Sequence, residues 1–569
     1  METSQYLPAK EQKFALLRYS VLAVSLIIAA RLFQIQVLNS SRYKAQAKEQ
    51  QWARYTIPAK RGNIYTSDGY PIASSIAVYT LYIDASAVKN PPKLGRDLSE
   101  VIPDFDVKNF ESSISGKTGW VKTAENLTWT QHQEIEKLGL EEIKMSESYS
   151  RFYPENDLLS HVLGFVGKDA DGNSIGYYGI EQAYDGYLKG QDGYLFQEKS
   201  ALGDPILWGG VQEIPPVDGS DIYLTIDRNV QFIAETALKE GVEKYSARSG
   251  SVIVINPKTG EVIAMANYPT YSPAVYTDSQ ENEEVYRNNA ISTIYEPGSV
   301  MKALTMSSAI DLGIVTPETV YLDDEPKYFS GHKVDNWDEK HHGEETMVEI
   351  LQHSNNLGAA WVGGRVGSEQ LLNYLHKFGF GARLGIDIEG EEGGLIYTSY
   401  PLKDIELANA SFGQGISATP LQIMSVFSAI ANNGYLMKPY VVSKITSSDG
   451  DTEVEPEIFS RPISEKTAET MVDMLTQAAA GGEAKYFVLK NFNTAGKTGT
   501  AQVPSEGGYD EDKTNATFAG FLSSYKNFVM LVRLEEPSSP SGFAAETSVP
   551  LWMGIASKLT NYYSFVPDK

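Results

Sequence analysis

Tyr295-Glu296-Pro297-Gly298-Ser299-Val300-Met301-Lys302 sets a serine just behind a Pro-Gly turn signal, with a lysine three residues further on. Val300, Met301, Ala303, Leu304, Met306, Ala309 and Ile310 then run apolar on most sides. That pattern predicts a buried central helix that begins at the turn. Positions i and i+3 share a helix face, so Lys302 Nζ can reach Ser299 Oγ. A serine hydroxyl needs a nearby base to become a nucleophile at neutral pH. An amine serves when burial or neighbouring cations depress its pKa. The helix start also aims free backbone N–H groups at a developing oxyanion.

Ser-x-x-Lys alone selects nothing, because it also occurs at Ser41/Lys44, Ser86/Lys89, Ser330/Lys333 and Ser523/Lys526. Order is what singles out Ser299. About 55 residues later comes Ser354-Asn355-Asn356, a Ser-x-Asn pattern, and much later Gly496-Lys497-Thr498-Gly499-Thr500-Ala501-Gln502. Lys-Thr-Gly recurs at Lys117-Thr118-Gly119 and Lys258-Thr259-Gly260. The first of these lies in the N-terminal region that carries no catalytic cluster, and the second precedes Ser299 in a hairpin turn, where Thr-Gly is ordinary turn chemistry. Only Lys497 follows both serine motifs and leads into a strand. The trio in this order is the mark of serine β-lactamases and penicillin-binding proteins.

Composition narrows the classes. The chain has 569 residues, enough for two to four domains, and its 42% hydrophobic share fits folded domains. A net charge of −25 argues against nucleic acid as a partner, which needs a basic face. There is no cysteine, so disulfides, thiolate catalysis and Cys-based zinc sites are excluded. The seven histidines are scattered. His341-His342 with His332 is the nearest to a metal set, and no carboxylate spacing supports it.

In chain order, a polar segment over 1–13 precedes FALLRYSVLAVSLIIAARLFQIQVL, residues 14–38. This stretch is long enough to span a bilayer, with arginines near its ends able to snorkel. A cleaved signal peptide competes, since the apolar core is short, but no small-x-small cleavage site follows. Basic residues flank both sides, so charge leaves the orientation open. Residues 39–216 read as an α+β pedestal of polar helices, short alternating strands and frequent turns, with no catalytic cluster. A linker signal at Glu213-Ile214-Pro215-Pro216 opens the last domain, 217–569. There Ile222–Ile226 is strand-like, Asp227 caps a helix through Gln231 to Val242, and Ser251–Ile255 and Glu261–Met265 form a hairpin.

With these motifs in place the chain resembles a class B penicillin-binding protein, a membrane-anchored D,D-transpeptidase of bacterial peptidoglycan synthesis. The likeness runs through Arg61-Gly62-Asn63-Ile64, Arg151-Phe152-Tyr153-Pro154 and Gly179-Ile180-Glu181. It continues in Leu224-Thr225-Ile226-Asp227, Gly413-Gln414-Gly415, Thr419-Pro420-Leu421-Gln422 and Phe518-Ala519-Gly520-Phe521. The resemblance implies a multidomain α/β (α+β) architecture. A transpeptidase domain of the penicillin-binding/β-lactamase type, with a central antiparallel sheet, stands on an N-terminal pedestal with one transmembrane helix. It implies Ser299 as nucleophile toward a stem peptide, Lys302 as base, Ser354 as proton relay, Asn356 as a holder of the substrate amide, and Lys497 as a source of positive potential. Thr498 and Thr500 would bind the substrate carboxylate, Gly499 would let the substrate backbone approach, and the Ser299 and Thr500 N–H groups would form the oxyanion hole. It also implies β-lactam binding, no cofactor and no metal, a cytoplasmic N-terminus with the bulk outside the cell membrane, and a polytopic glycosyltransferase partner.

Two departures stand out. Arg287-Asn288-Asn289-Ala290 replaces the family's usual Asn-Arg-Ala, and Ser541 to Glu546 follows the family's tail only loosely. Two other readings stay open at this level. A serine β-lactamase would need a carboxylate placed to activate water, and no Glu-rich loop suggests one. A non-catalytic scaffold or β-lactam sensor could dispense with Lys302, Asn356 or Lys497, yet all three are present.

Overall fold

The computed structural model describes residues 7–200, 206, 210–279, 282–398, 400–505 and 508–569. Of the polar segment expected at 1–13, residues 1–6 lie outside the described residues. The chain forms two compact units: the described residues up to Ala59 together with Gln191–Asp218, and Lys60–Gly190 together with Gly219–Lys569.

The first unit opens on a helix over Leu7–Phe33. Within it and the turn that follows, Lys13–Leu38 is 26 residues long and apolar enough to cross a bilayer, and none of that stretch is buried. Its Phe14, Leu16 and Leu17 side chains stand exposed, as a lipid-facing helix requires. A polar helix, Ser40–Gln51, runs into strand Trp52–Ile57. That strand pairs antiparallel with Gly193–Glu198, which pairs antiparallel with Val211–Ile214.

The second unit contains the three ordered motifs, at Ser299, Ser354 and Lys497. Its central sheet has five strands in the order Val262–Tyr268, Ser249–Ile255, Tyr525–Glu535, Gly508–Leu522, Thr494–Ser505, every neighbouring pair antiparallel. The alternation of side chains assigns the two faces to different cores. Val252, Val254, Phe518, Met530 and Val532 pack with Leu238 and Trp552, from helices Arg228–Lys244 and Ser548–Tyr562. Ile253, Ile255, Phe521, Val529 and Leu531 face the opposite core, with Leu304, Met306 and Phe427. Helices therefore cover both faces, and Ser249–Ile255 is buried at every residue. This explains why these strands read as continuous apolar runs in an antiparallel sheet.

Asp227 caps its helix as the sequence predicts, accepting from Asn229 N at 2.8 Å and Val230 N at 3.1 Å. A second sheet joins Pro71–Asp84 and its neighbours, through Ile64–Tyr65, to Asp221–Leu224 and Val442–Ser447. It crosses residue 216, where the sequence reading sets its linker. Part of 60–190, including Ile64, Ile72, Val162 and Ile180, shares one core with helix Lys302–Asp311, while Leu81, Leu98, Phe110 and their neighbours form a core of their own.

Candidate active site

Ser299 lies in a tight 3-10 turn, Gly298–Met301, which runs straight into the helix Lys302–Asp311. Every residue of that helix from Lys302 to Ala309 is buried. The turn is held from three sides. Gly298 adopts φ of 61°, which costs a residue without a side chain little, and its N–H donates to Gly413 O at 3.0 Å. Glu296, pointing away from the helix, accepts from Gly415 N at 2.9 Å and from Tyr509 OH at 3.1 Å. The edge strand Thr494–Ser505 passes so close that a Cβ on Gly499 would stand 2.8 Å from Pro297 O. In the folded chain, Gly499 lets the strand approach the Ser299 turn closely.

The three motifs, far apart in sequence, meet around Ser354, whose hydroxyl contacts both Lys302 and Lys497. Lys302 Nζ lies 3.0 Å from Ser299 Oγ, 2.5 Å from Ser354 O, 2.7 Å from Asn356 Oδ1 and 3.3 Å from Ser354 Oγ. A neutral amine has two hydrogens and one lone pair. Ser354 O and Asn356 Oδ1 can only accept, so they take the two hydrogens and leave the lone pair for the Ser299 hydroxyl. Lys302 is 1% exposed. Burial pushes its pKa well below that of an ordinary lysine, the Lys497 charge pushes in the same direction, and Glu483 and Glu345 oppose it.

Lys497 has a different complement. Its Nζ donates to Ser354 Oγ at 3.0 Å, Thr498 Oγ1 at 3.0 Å and Thr498 O at 3.2 Å, three acceptors for the three hydrogens of an ammonium. Burial lowers its pKa too, with Glu483 pulling the other way. The Ser354 hydroxyl thus sits between the two lysines.

Asn355, quoted in the sequence only as the middle of a motif, turns out to hold the loop. Its Oδ1 accepts from Gly358 N at 2.7 Å and caps the helix Asn356–Val366. Its Nδ2 donates to Asp323 Oδ2 at 2.8 Å and to Glu345. Asn336 accepts from Asn356 N at 3.0 Å and donates to Asp323 at 2.9 Å. None of Asp323, Asn336 or Glu345 belongs to a motif whose spacing could have marked it, and Glu296 was quoted only as part of the Pro-Gly stretch.

Thr498 and Thr500 have different partners. Thr498 Oγ1 donates to Glu483, while Thr500 Oγ1 accepts from Ala544 N at 3.0 Å. A cleft of about 570 Å³ lies over the site, lined by Ser299, Ser354, Asn356, Glu483, Thr500 and others. At its mouth Trp337 and Phe543 face each other with ring centroids 5.5 Å apart. Of the histidines grouped by sequence, His332 lines this cleft. His342 joins Glu345 and His353 instead, with donor atoms within 4.8 Å of one another. Both oxygens of Glu345 are already engaged, by His353 Nδ1 at 2.5 Å and by Asn355 Nδ2.

Comparison with known proteins yields two family matches. Residues 250–551 match the penicillin binding protein transpeptidase domain, and residues 56–224 the penicillin-binding protein dimerisation domain. The chain is 31% identical to stage V sporulation protein D of Bacillus subtilis, over 93% of this chain and 82% of that one. It is 27% identical to the peptidoglycan D,D-transpeptidase FtsI of Escherichia coli, over 98% and 92%. Among solved structures it is similar to penicillin binding protein 3 from Mycobacterium tuberculosis complexed with aztreonam. That match has a TM-score of 0.70 and 27% identity and covers 90% of this chain and 98% of the other.

Proposed function

Because this chain belongs to the penicillin-binding protein transpeptidases, we propose that Ser299 is the nucleophile of a peptidoglycan D,D-transpeptidase and that Lys302 is its base. The observation that carries the assignment is the placement of Lys302 Nζ, 3.0 Å from Ser299 Oγ, with its two hydrogens taken by Ser354 O and Asn356 Oδ1.

In acylation, the Ser299 proton passes to the Lys302 lone pair as Oγ attacks the carbonyl of the penultimate D-Ala of a stem peptide. The N–H groups of Ser299 and Thr500 receive the charge that develops on the carbonyl oxygen. Losing one such donor typically costs about 3 kcal/mol of transition-state stabilisation. As the C–N bond breaks, the terminal D-Ala nitrogen takes a proton from Ser354 Oγ, which is replenished from Lys302. The acyl-ester remains. An amine of a second stem peptide then attacks it, gives up a proton along the same path, and frees Ser299 with a cross-link formed. Asn356 holds the substrate amide, and Lys497 with Thr498 and Thr500 receives its carboxylate. A β-lactam enters the first half of this sequence and stays on Ser299.

We extend the reading to the whole chain. Residues 1–13 form a cytoplasmic tail, 14–38 the anchor in the cell membrane, 39–216 a pedestal and 217–569 the transpeptidase domain, with both large parts outside. The anchor and pedestal are the contact for a polytopic glycosyltransferase, which supplies the glycan strands to be cross-linked. The apolar stretch Lys13–Leu38 supports the anchor.

The test is labelling of the full-length chain in detergent with a fluorescent penicillin, with Ser299→Ala alongside. A stable adduct on the natural chain that is absent from the variant is the expected result. Rapid drug turnover would instead mark a β-lactamase, and no adduct on folded protein a non-catalytic scaffold.

A further inference from the structure

Thr498 has one hydroxyl proton, and the folded chain has already committed it. Its Oγ1 accepts from Lys497 Nζ at 3.0 Å and donates to the carboxylate of Glu483. Glu483 stands 15 residues before Thr498, just past the end of the helix Glu465–Gly481. It is partly exposed in the wall of the cleft, alongside Ser299, Ser354, Asn356 and Thr500. Its charge is felt at both lysines, where it opposes the loss of basicity that burial brings. Thr500 differs. It uses its oxygen to accept from Ala544 N, and its own proton has no acceptor among the described residues.

We infer that Glu483 is a built-in competitor for the carboxylate position and sets the site's preference between anionic and neutral acyl donors. The inference rests on the reading of Thr498 and Thr500 as the carboxylate-binding pair. One hydroxyl proton cannot serve two carboxylates, so an incoming anion must displace Glu483 from Thr498. It must then sit beside a like charge inside a partly desolvated cleft, where Coulomb repulsion is only weakly screened. The anchoring of an anionic donor therefore falls on Thr500 and Lys497, and Glu483 holds back acylation by any ligand with a carboxylate at that position. Specificity of this kind comes from a repulsive element beside the attractive ones.

The test compares acylation of the full-length chain, in detergent, by benzylpenicillin and by its methyl ester, which lacks the negative charge. The readout is the ratio of the acid rate to the ester rate. Glu483→Gln keeps the side chain's size and an acceptor for Thr498 and removes the charge. It is expected to raise the acid-to-ester ratio by about tenfold. An equal change in both rates, or no change in the ratio, overturns the inference. Thr500→Val separates the two layers of the argument. If it lowers the ratio while Glu483→Gln leaves it unaltered, the carboxylate reading stands and the role of Glu483 fails. If Thr500→Val leaves the ratio as it was, the carboxylate reading fails and the Glu483 inference falls with it.

Discussion

Two lysines share one buried site with different partners. Lys302 has two obligate acceptors, Ser354 O and Asn356 Oδ1, and the hydroxyls of Ser299 and Ser354, whereas Lys497 has one obligate acceptor, Thr498 O, and the hydroxyls of Ser354 and Thr498. The sign of the pH dependence follows. As the proposed base Lys302 must be deprotonated, so acylation is expected to rise with pH through its lowered pKa. The positive charge of Lys497 is one cause of that lowering. Lys497→Gln removes it and leaves Glu483 and Glu345 to pull the pKa of Lys302 back up. The ascending limb of the pH–acylation profile is expected to move to higher pH in Lys497→Gln, with a lower rate at neutral pH. Stopped-flow acylation across pH measures it, and a limb that stays in place would show that Lys497 does not tune the base.

At the scale of elements, the loop before the helix Asn356–Val366 carries the strain. Ser354 holds φ of 55°, a left-handed conformation that costs a residue with a Cβ roughly 1–2 kcal/mol. That conformation aims both the carbonyl and the hydroxyl of Ser354 at Lys302. Asn355 offsets the cost by capping the helix and by donating to two buried carboxylates, Asp323 and Glu345. Asn355→Ala loses the cap and leaves those acids short of a donor. It is expected to destabilise the fold by about 2–3 kcal/mol, read from a denaturant titration, and to slow acylation through a relaxed Ser354. A variant of unchanged stability would mean that the loop is held by Asn336 alone. The Pro-Gly turn was legible in the sequence because turn preferences act over three or four residues, and the Ser-x-Asn pattern through its place in the ordered trio. The Asp323–Asn336–Glu345 frame was not, because Asp323 and Glu345 meet through strand pairing between Val320–Asp323 and Gly343–Thr346, and Asn336 joins them from the intervening loop through its side chain.

At the scale of the molecule, a buried ionic cluster ties together segments of residues 60–190. Glu181, fully buried, accepts from Arg61 Nε at 2.7 Å and from Arg151 Nε at 2.6 Å. Arg61 also donates to Asp185 at 2.6 Å, and Arg151 to Gly62 O at 2.6 Å. These are the arginines and the glutamate of the motifs that the sequence showed as three separate pieces. Removing one partner from a buried pair leaves uncompensated charge, which typically costs about 3–5 kcal/mol. Glu181→Ala is expected to lower the unfolding free energy by about that amount. The molecules that remain folded should keep their penicillin labelling, since the cluster touches no catalytic group. Equal loss of labelling per folded molecule would show instead that the cluster supports the site.

Ordered motifs and local chemistry were enough to establish, from sequence alone, a serine acyl-transfer site on an α/β domain behind an apolar N-terminal stretch. Ser299 and Lys302 are one helical turn apart, and the capping and turn signals act over a similar span, so their geometry follows from the backbone. What only the tertiary structure decided is which protons are free. The proposed role of Lys302 as base depends on Ser354 O and Asn356 Oδ1, more than fifty residues away, standing within reach of its hydrogens. Thr498 and Thr500 look equivalent in Lys-Thr-Gly-Thr, yet Thr498 donates to Glu483 while Thr500 accepts from Ala544 N and lines the cleft. Such distinctions depend on partners that chain folding brings within 3 Å, and no periodicity or spacing encodes them.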